Sequence, residues 1–160
     1  MQIRNYEPQD KEQILELFNQ FGDYFVEVDD LKRVYRGEHY AEKFFGEMQK
    51  NMQPNGICYV AEDDGKLTGF IGGSWHDVTT ENSQESIPHR KGRILELFVS
   101  ETHRGKGIGK QLLLKLEEYF RTQGCNAINV EVFAPNTTAQ EFYAAFGYKP
   151  RNIDFLKLLD

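Results

Sequence analysis

Several things are scarce in this chain, and each shortage excludes something. Cysteine is scarce: there are two among 160 residues, Cys58 and Cys125. They share no metal-ligand spacing and lie in or beside apolar runs. The expectation is two buried, reduced thiols in a cytoplasmic protein rather than a disulfide framework. No apolar run approaches the ~18 residues needed to cross a membrane. Residues 1–6 carry no apolar signal region and read instead as a first strand, so no membrane partner is expected. Positive charge is in deficit, 19 Lys and Arg against 25 Asp and Glu, a net −6. An acidic chain repels phosphate backbones, so nucleic acid is a poor partner and a cationic small molecule suits the sign better. His39, His76, His89 and His103 are scattered without ligand spacing, so no metal is expected. What is present, 39 % apolar residues with 12 Phe and 8 Tyr, suffices for a core. A single domain over residues 1–160 is the expectation.

Hydrophobic periodicity divides the chain. After the strand at 2–6, Pro8 opens a helix whose apolar stripe is Ile14, Leu15, Leu17, Phe18 and Phe21, with Gly22 as the expected stop. A second helical region is expected from about 29 to 51, with a break at Gly37, ended by Pro54-Asn55-Gly56. Residues 57–61 form a β-favouring run, Asp63-Asp64-Gly65-Lys66 a hairpin turn, and 67–75 the returning strand. Gly69, Gly72 and Gly73 weaken that strand unless something approaches its backbone closely. Residues 77–92 are polar and aperiodic and read as a mobile loop. Residues 93–99 form a strand whose one charge among apolar residues is Glu96. By simple alternation Glu96 shares a face with Ile94 and Phe98. A helix after residue 107 carries Ile108, Leu112, Leu116 and Tyr119 at helical spacing and closes at Gly124. A strand at 127–133 follows, then a short helix capped by Asn136 or Thr137 and ended by Gly147, then a last strand within 148–159. This alternation indicates a mixed α/β sheet with helices on both faces.

Chemistry concentrates at Arg104-Gly105-Lys106-Gly107-Ile108-Gly109, between the strand at 93–99 and the next helix. The first amides of a helix have no intrahelical partner, and the helix dipole adds partial positive charge there. Glycines let a phosphate approach the backbone, and Arg104, Lys106 and Lys110 add mobile positive charge. The site suits a pyrophosphate. A P-loop would need Ser or Thr after its lysine, but Lys110 is followed by Gln111. A dinucleotide fingerprint fails because the glycines at 105, 107 and 109 have the wrong third spacing.

The remaining pattern, Arg-x-x-Gly-x-Gly after a hydrophobic strand, resembles the GNAT superfamily of acyl-CoA-dependent N-acyltransferases. The strand ILELFV at 94–99, the loop at 104–109, the helix after it, Asn136, Phe142-Tyr143 and Gly147-Tyr148 follow that family's order and spacing. The resemblance covers residues 93–148, and the upstream element order agrees with it. It implies a mixed, mostly antiparallel sheet with a splayed central strand pair and helices on both faces.

The resemblance also implies a function: transfer of an acetyl group from acetyl-CoA, by direct attack, to the primary amine of a small cationic acceptor. The leading acceptors are polyamine-like or aminoglycoside-like. A protein N-terminus or lysine follows closely, and a non-catalytic CoA-binding module is the alternative of another class. The backbone of Leu97, Phe98 and Val99 would pair with the pantetheine arm as an added strand does. Arg104, Gly105, Lys106, Gly107, Ile108, Gly109 and Lys110 would hold the pyrophosphate. Tyr143 matches a tyrosine that protonates the departing thiolate, though an aromatic core position would look the same. Asn136 matches a residue that contacts the cofactor arm, but a helix cap would explain it equally. Glu96 matches an acid that relays the ammonium proton; a carboxylate paired with Arg or Lys is its other reading. On the acceptor side Tyr24, Phe25, Glu27, Asp29, Asp30, Tyr35, Glu38 and Tyr40 offer acidic and aromatic groups, or simply a solvated helix start. Dimers are frequent in that superfamily, which leaves a homodimer open.

Overall fold

The computed structural model describes residues 1–82 and 87–159. Its elements are β1 (Gln2–Asn5), α1 (Lys11–Val28, entered through a 3-10 turn at Pro8–Asp10), α2 (Tyr40–Asn51), β2 (Gly56–Asp63), β3 (Lys66–Val78), β4 (His89–Val99), α3 (Ile108–Thr122), β5 (Ala127–Val130) and α4 (Thr137–Ala145). The five strands lie in chain order, antiparallel throughout except for the parallel pair β4–β5. This is the mixed, mostly antiparallel sheet that the resemblance implied.

Period-two alternation along the strands sends side chains to two cores. On one face Phe18, Phe21, Phe45 and Met48 of α1 and α2 pack on Val60, Phe70 and Phe98. On the other, Leu112, Leu113, Leu116 and Phe120 of α3 pack on Ala61, Ile71 and Ile94. Those four α3 side chains are wholly buried, each stabilising by about 1.5–3 kcal/mol. At the glycines of β3 both helix layers press close on the backbone. A Cβ on Gly72 would lie 2.6 Å from the Met48 sulfur, and one on Gly73 2.8 Å from Phe120 Cζ. That is the close backbone approach expected for this strand.

Several boundaries differ from the sequence expectation. Helix α1 continues through Gly22 to Val28. That glycine is a packing notch rather than a stop, since its Cβ would fall 2.6 Å from the Tyr40 ring. The second helix begins only at Tyr40. Residues 29–39 are non-helical because the Asp29 carboxylate accepts backbone N–H bonds from Leu31 (3.1 Å), Arg33 and Val34 (2.7 Å). A side chain that binds local backbone competes with the helix ladder, and Lys32 takes φ 55 in the same turn. The region expected as a loop at 77–92 is largely strand at its ends, since β3 runs to Val78 and β4 starts at His89. The reason is cross-strand pairing of polar residues: Arg90 bonds Asp77 at 2.7 Å and its guanidinium lies 4.2 Å from the Trp75 ring centroid. Residues 83–86 of that region lie outside the described residues.

Strand β5 ends at Val130 rather than 133, because the chain turns away from β4 to stack Phe133 on Phe25 at 5.5 Å. The strand expected within 148–159 does not form. Tyr148 packs into the α3 core, but Ile153, Phe155 and Leu159 beyond it are exposed. A short apolar run does not specify the edge it would pair with. Cys58 is buried, as expected, while Cys125 is only half-buried; both are free.

Candidate active site

Strand β4 organises the site because it changes character along its length. From Lys91 to Ile94 it is flanked on both sides, by β3 and by β5. Beyond Ile94 the ladder to β5 stops, while pairing with β3 continues to Val99. The open edge is presented by alternate residues. Ser100 N–H donates to the Thr68 carbonyl at 2.9 Å, and the Phe98 carbonyl faces Gly69. Leu97 and Val99 therefore turn their N–H and C=O groups to the open side, whereas Phe98 turns its own to β3. The Val99 carbonyl accepts a bond from Arg104 Nε at 3.1 Å.

A bulge at Gly72/Gly73 sets the other face of β4, because Gly72 pairs with Glu96 and Gly73 with Ile94. The extra residue, Leu95, packs with the α1–α2 core, and so does Phe98. Ile94 and Leu97 pack with the α3 core. Glu96 therefore shares its face with Phe98 but not with Ile94, contrary to simple alternation. One extra residue in the strand resets the side-chain phase.

At the end of β4 the glycine loop enters α3. Gly105 and Gly107 have φ of 76° and 78°, and Gly107 is the residue that caps the helix. The first helical bond here runs from Gln111 N–H to Gly107 O. The amides of Ile108, Gly109 and Lys110 thus have no intrahelical acceptor, and no side chain caps them. Arg104, Lys106 and Lys110 are exposed and form no ion pair among the described residues. Together with the open edge at Leu97 and Val99, these groups fit a long ligand with backbone-like amides at one end and a pyrophosphate at the other.

On the α1–α2 side, Glu96 lies at a cavity of about 350 Å³ walled by Phe21, Phe25, Tyr40 and Phe44, with Arg33, Val34 and Tyr35 completing the lining. Burial raises the Glu96 carboxyl to about 7; Arg93 pulls against that shift and Glu131 adds to it. The Arg or Lys partner that would make Glu96 a structural ion pair is not found among the described residues. Arg93 instead bonds Glu131 at 3.1 Å. Burial, with a smaller contribution from the Glu96 charge, lifts the Tyr40 phenol to about 12. The same two causes, in the same order, push Tyr143 far above the ordinary phenol range. Tyr143 is buried between Phe142 (5.2 Å) and Tyr148 (5.4 Å). No hydrogen bond to its hydroxyl forms among the described residues.

The remaining sequence candidates divide. Asn136 caps α4, its Oδ1 accepting from Ala139 N–H at 3.0 Å, and it also accepts from the Tyr24 hydroxyl at 3.0 Å. Tyr24 carries the Arg104 guanidinium 4.8 Å from its ring centroid. Both residues thus belong to the glycine-loop side rather than to the acceptor cavity. Phe25, Tyr35 and Tyr40 do line the cavity. Asp29 is committed to backbone amides, which hold its carboxyl below the usual range. Glu27, Asp30 and Glu38 are exposed and outside the lining. Arg33, Val34 and Phe44 were missed as lining residues. The i,i+4 spacing of Tyr40 and Phe44 was a usable signal, since the rings stack at 4.3 Å. Arg33 and Val34 had none, because their place depends on the Asp29 turn.

Among the described residues no group of His, Cys, Asp and Glu could hold a metal ion, and no helix is long and apolar enough to cross a membrane. Comparison with known proteins bears on family and fold. The chain is 38 % identical over 104 residues to an uncharacterized N-acetyltransferase of Methanocaldococcus jannaschii, covering 64 % of this chain and 58 % of that one. The chain thus spans about three fifths of that relative's length. A solved Bacillus halodurans protein superimposes with a TM-score of 0.83 at 23 % identity, covering 99 % of this chain and all of that one. An aminoglycoside 6'-N-acetyltransferase from Acinetobacter haemolyticus superimposes with a TM-score of 0.70 at 16 % identity over the whole of both chains. At such identities the likeness speaks to fold. The acetyltransferase (GNAT) family model matches residues 14–148, and the chain belongs to that family.

Proposed function

We propose that this chain, as a single domain, is an acetyl-CoA-dependent N-acetyltransferase that acetylates a primary amine of a small cationic acceptor. The observation that carries the reading is strand β4. It presents a half-buried carboxyl at Glu96 to a cavity on one side and an unpaired backbone edge at Leu97 and Val99 on the other. Acyl transfer needs those two parts side by side. Acetyl-CoA would supply an activated thioester, with its pantetheine amides against Leu97 and Val99 and its pyrophosphate at residues 104–110.

Each residue then has a task. An amine attacks a thioester only when neutral, and a carboxylate with a pKa near 7 is matched to taking its proton at neutral pH. Glu96 is the base in this reading. An N–H of this open edge polarises the carbonyl as the new C–N bond forms. As the C–S bond breaks, the thiolate receives a proton from Tyr143, which burial keeps fully protonated.

The test is an acceptor screen with acetyl-CoA, read by thiol release and by a product mass increased by one acetyl group. Transfer to at least one small amine is expected. Calorimetric preference for ATP or NAD over CoA would remove the basis of the reading. Tight CoA binding with no product across a broad panel would leave a CoA-binding module instead.

A further inference from the structure

We infer that the cavity at Glu96 takes a monoamine with a compact, aromatic-sized apolar body, and that Arg33 discriminates against acceptors bearing a second positive charge. The inference rests on the acetyl-transfer reading above for its chemistry, but not for its ligand class. At about 350 Å³ the cavity is at the small end of ligand sites. Among the described residues Glu96 is the one acid in its lining. The walls are rings held in place by other rings: Phe21 on Phe25 at 4.7 Å, Tyr40 on Phe44 at 4.3 Å, and Phe25 on Phe133 at 5.5 Å. Aromatic faces attract one ammonium and its apolar body. They offer little to ring hydroxyls, which would lose water without gaining partners.

Two acids of the surrounding segments are already engaged, while Glu27, Asp30 and Glu38 lie outside the lining. Asp23 is paired with Arg36 at 2.6 Å, and Asp29 is held by the backbone amides of Leu31, Arg33 and Val34. A second ammonium would have to compete with those partners. The same turn holds the Arg33 backbone at the lining, and its side chain forms no ion pair among the described residues. A polyamine or aminoglycoside entering amine-first would bring its remaining charges toward that cation. The sign of the whole chain, net −6, predicted a welcome for polycations; the charges at the cavity itself oppose it.

The test compares 2-phenylethylamine, spermidine and kanamycin, both as acceptors with acetyl-CoA and as ligands by calorimetry in the presence of CoA. The expected kcat/KM for 2-phenylethylamine exceeds the other two by about 100-fold, the scale on which an apolar pocket discriminates. Arg33→Glu is expected to shift the spermidine to 2-phenylethylamine ratio toward spermidine by about 10-fold, as an exposed charge reversal does. Phe44→Ala is expected to raise KM for 2-phenylethylamine with little change in kcat. Spermidine or kanamycin equalling 2-phenylethylamine in both turnover and binding would overturn the ligand class. An unchanged ratio in Arg33→Glu would overturn the role of Arg33. Turnover with none of the three, but selective binding of 2-phenylethylamine, would count against acetyl transfer and support the cavity's ligand class.

Discussion

On the α3 side of β4 the candidate site is made of backbone: two strand units at Leu97 and Val99, and the free amides of Ile108, Gly109 and Lys110. On the α1–α2 side it is made of side chains: Glu96, Arg33 and a wall of rings. The backbone side spans 14 consecutive residues, 97 to 110, whereas the side-chain side draws on residues from 21 to 96. The difference separates constancy from choice. Backbone groups recognise amides and phosphates whatever the neighbouring side chains are, so that half suits a ligand common to a family. A cavity of side chains changes with each substitution, so that half suits an acceptor that differs between members.

Glu96→Gln divides the two sides most sharply. If Glu96 is the base, kcat/KM at pH 8 falls by about 10²–10⁴-fold, while CoA affinity is unchanged. The wild-type rate should rise with pH through about 7, where the carboxyl ionises, and the variant should lack that inflection. A variant that keeps it would place the base elsewhere. Stability carries the same signature. Burial raises the carboxyl from 4.5 in the unfolded chain to about 7 in the fold. Its contribution is therefore fully present below pH 4.5 and lost as pH rises through 7. By linkage the loss relative to Glu96→Gln is at most roughly 3 kcal/mol, and urea midpoints at pH 5 and pH 8 measure it.

Gly107→Val probes the other side with a smaller effect. At φ 78° a β-branched residue is strained, and the amides it displaces are those proposed to hold the pyrophosphate. The dissociation constant for CoA should rise by about 10–100-fold, the scale of one charge-assisted hydrogen bond. Amine affinity at the cavity should stay as it was; if it falls as much, the two halves are not separable.

Tyr143→Phe has the smallest expected effect, about 10-fold in kcat, because a thiolate leaves with less help than the usual acid-catalysed group. CoA affinity should be unchanged. A rate equal to wild type at every pH would return Tyr143 to the core, beside Phe142 and Tyr148.

Legibility followed the same division. The order of elements from β1 to α4, the α3 stripe of Ile108, Leu112 and Leu116, and the Asn136 cap were readable because each depends on spacing within one element. The acceptor helix was misread because Asp29 looks like a helix start. Only its contacts show the carboxylate binding the amides of Leu31, Arg33 and Val34 in a turn. The face of Glu96 was half right: its partnership with Phe98 holds, but the bulge removes Ile94. A bulge leaves no mark in a strand's own composition, since it answers the helices pressing on Gly72 and Gly73 across the ladder.

By itself the sequence determined the backbone half of this protein. Glycines at 105 and 107, apolar residues before them and a helical stripe after them specify a loop whose amides point outward, because those groups obey local geometry. Only the tertiary structure decided the side-chain half. Which rings meet Glu96, which acids are engaged elsewhere and which cation lines the cavity depend on segments far apart in the chain. Packing brings them together, and spacing along the sequence does not encode it.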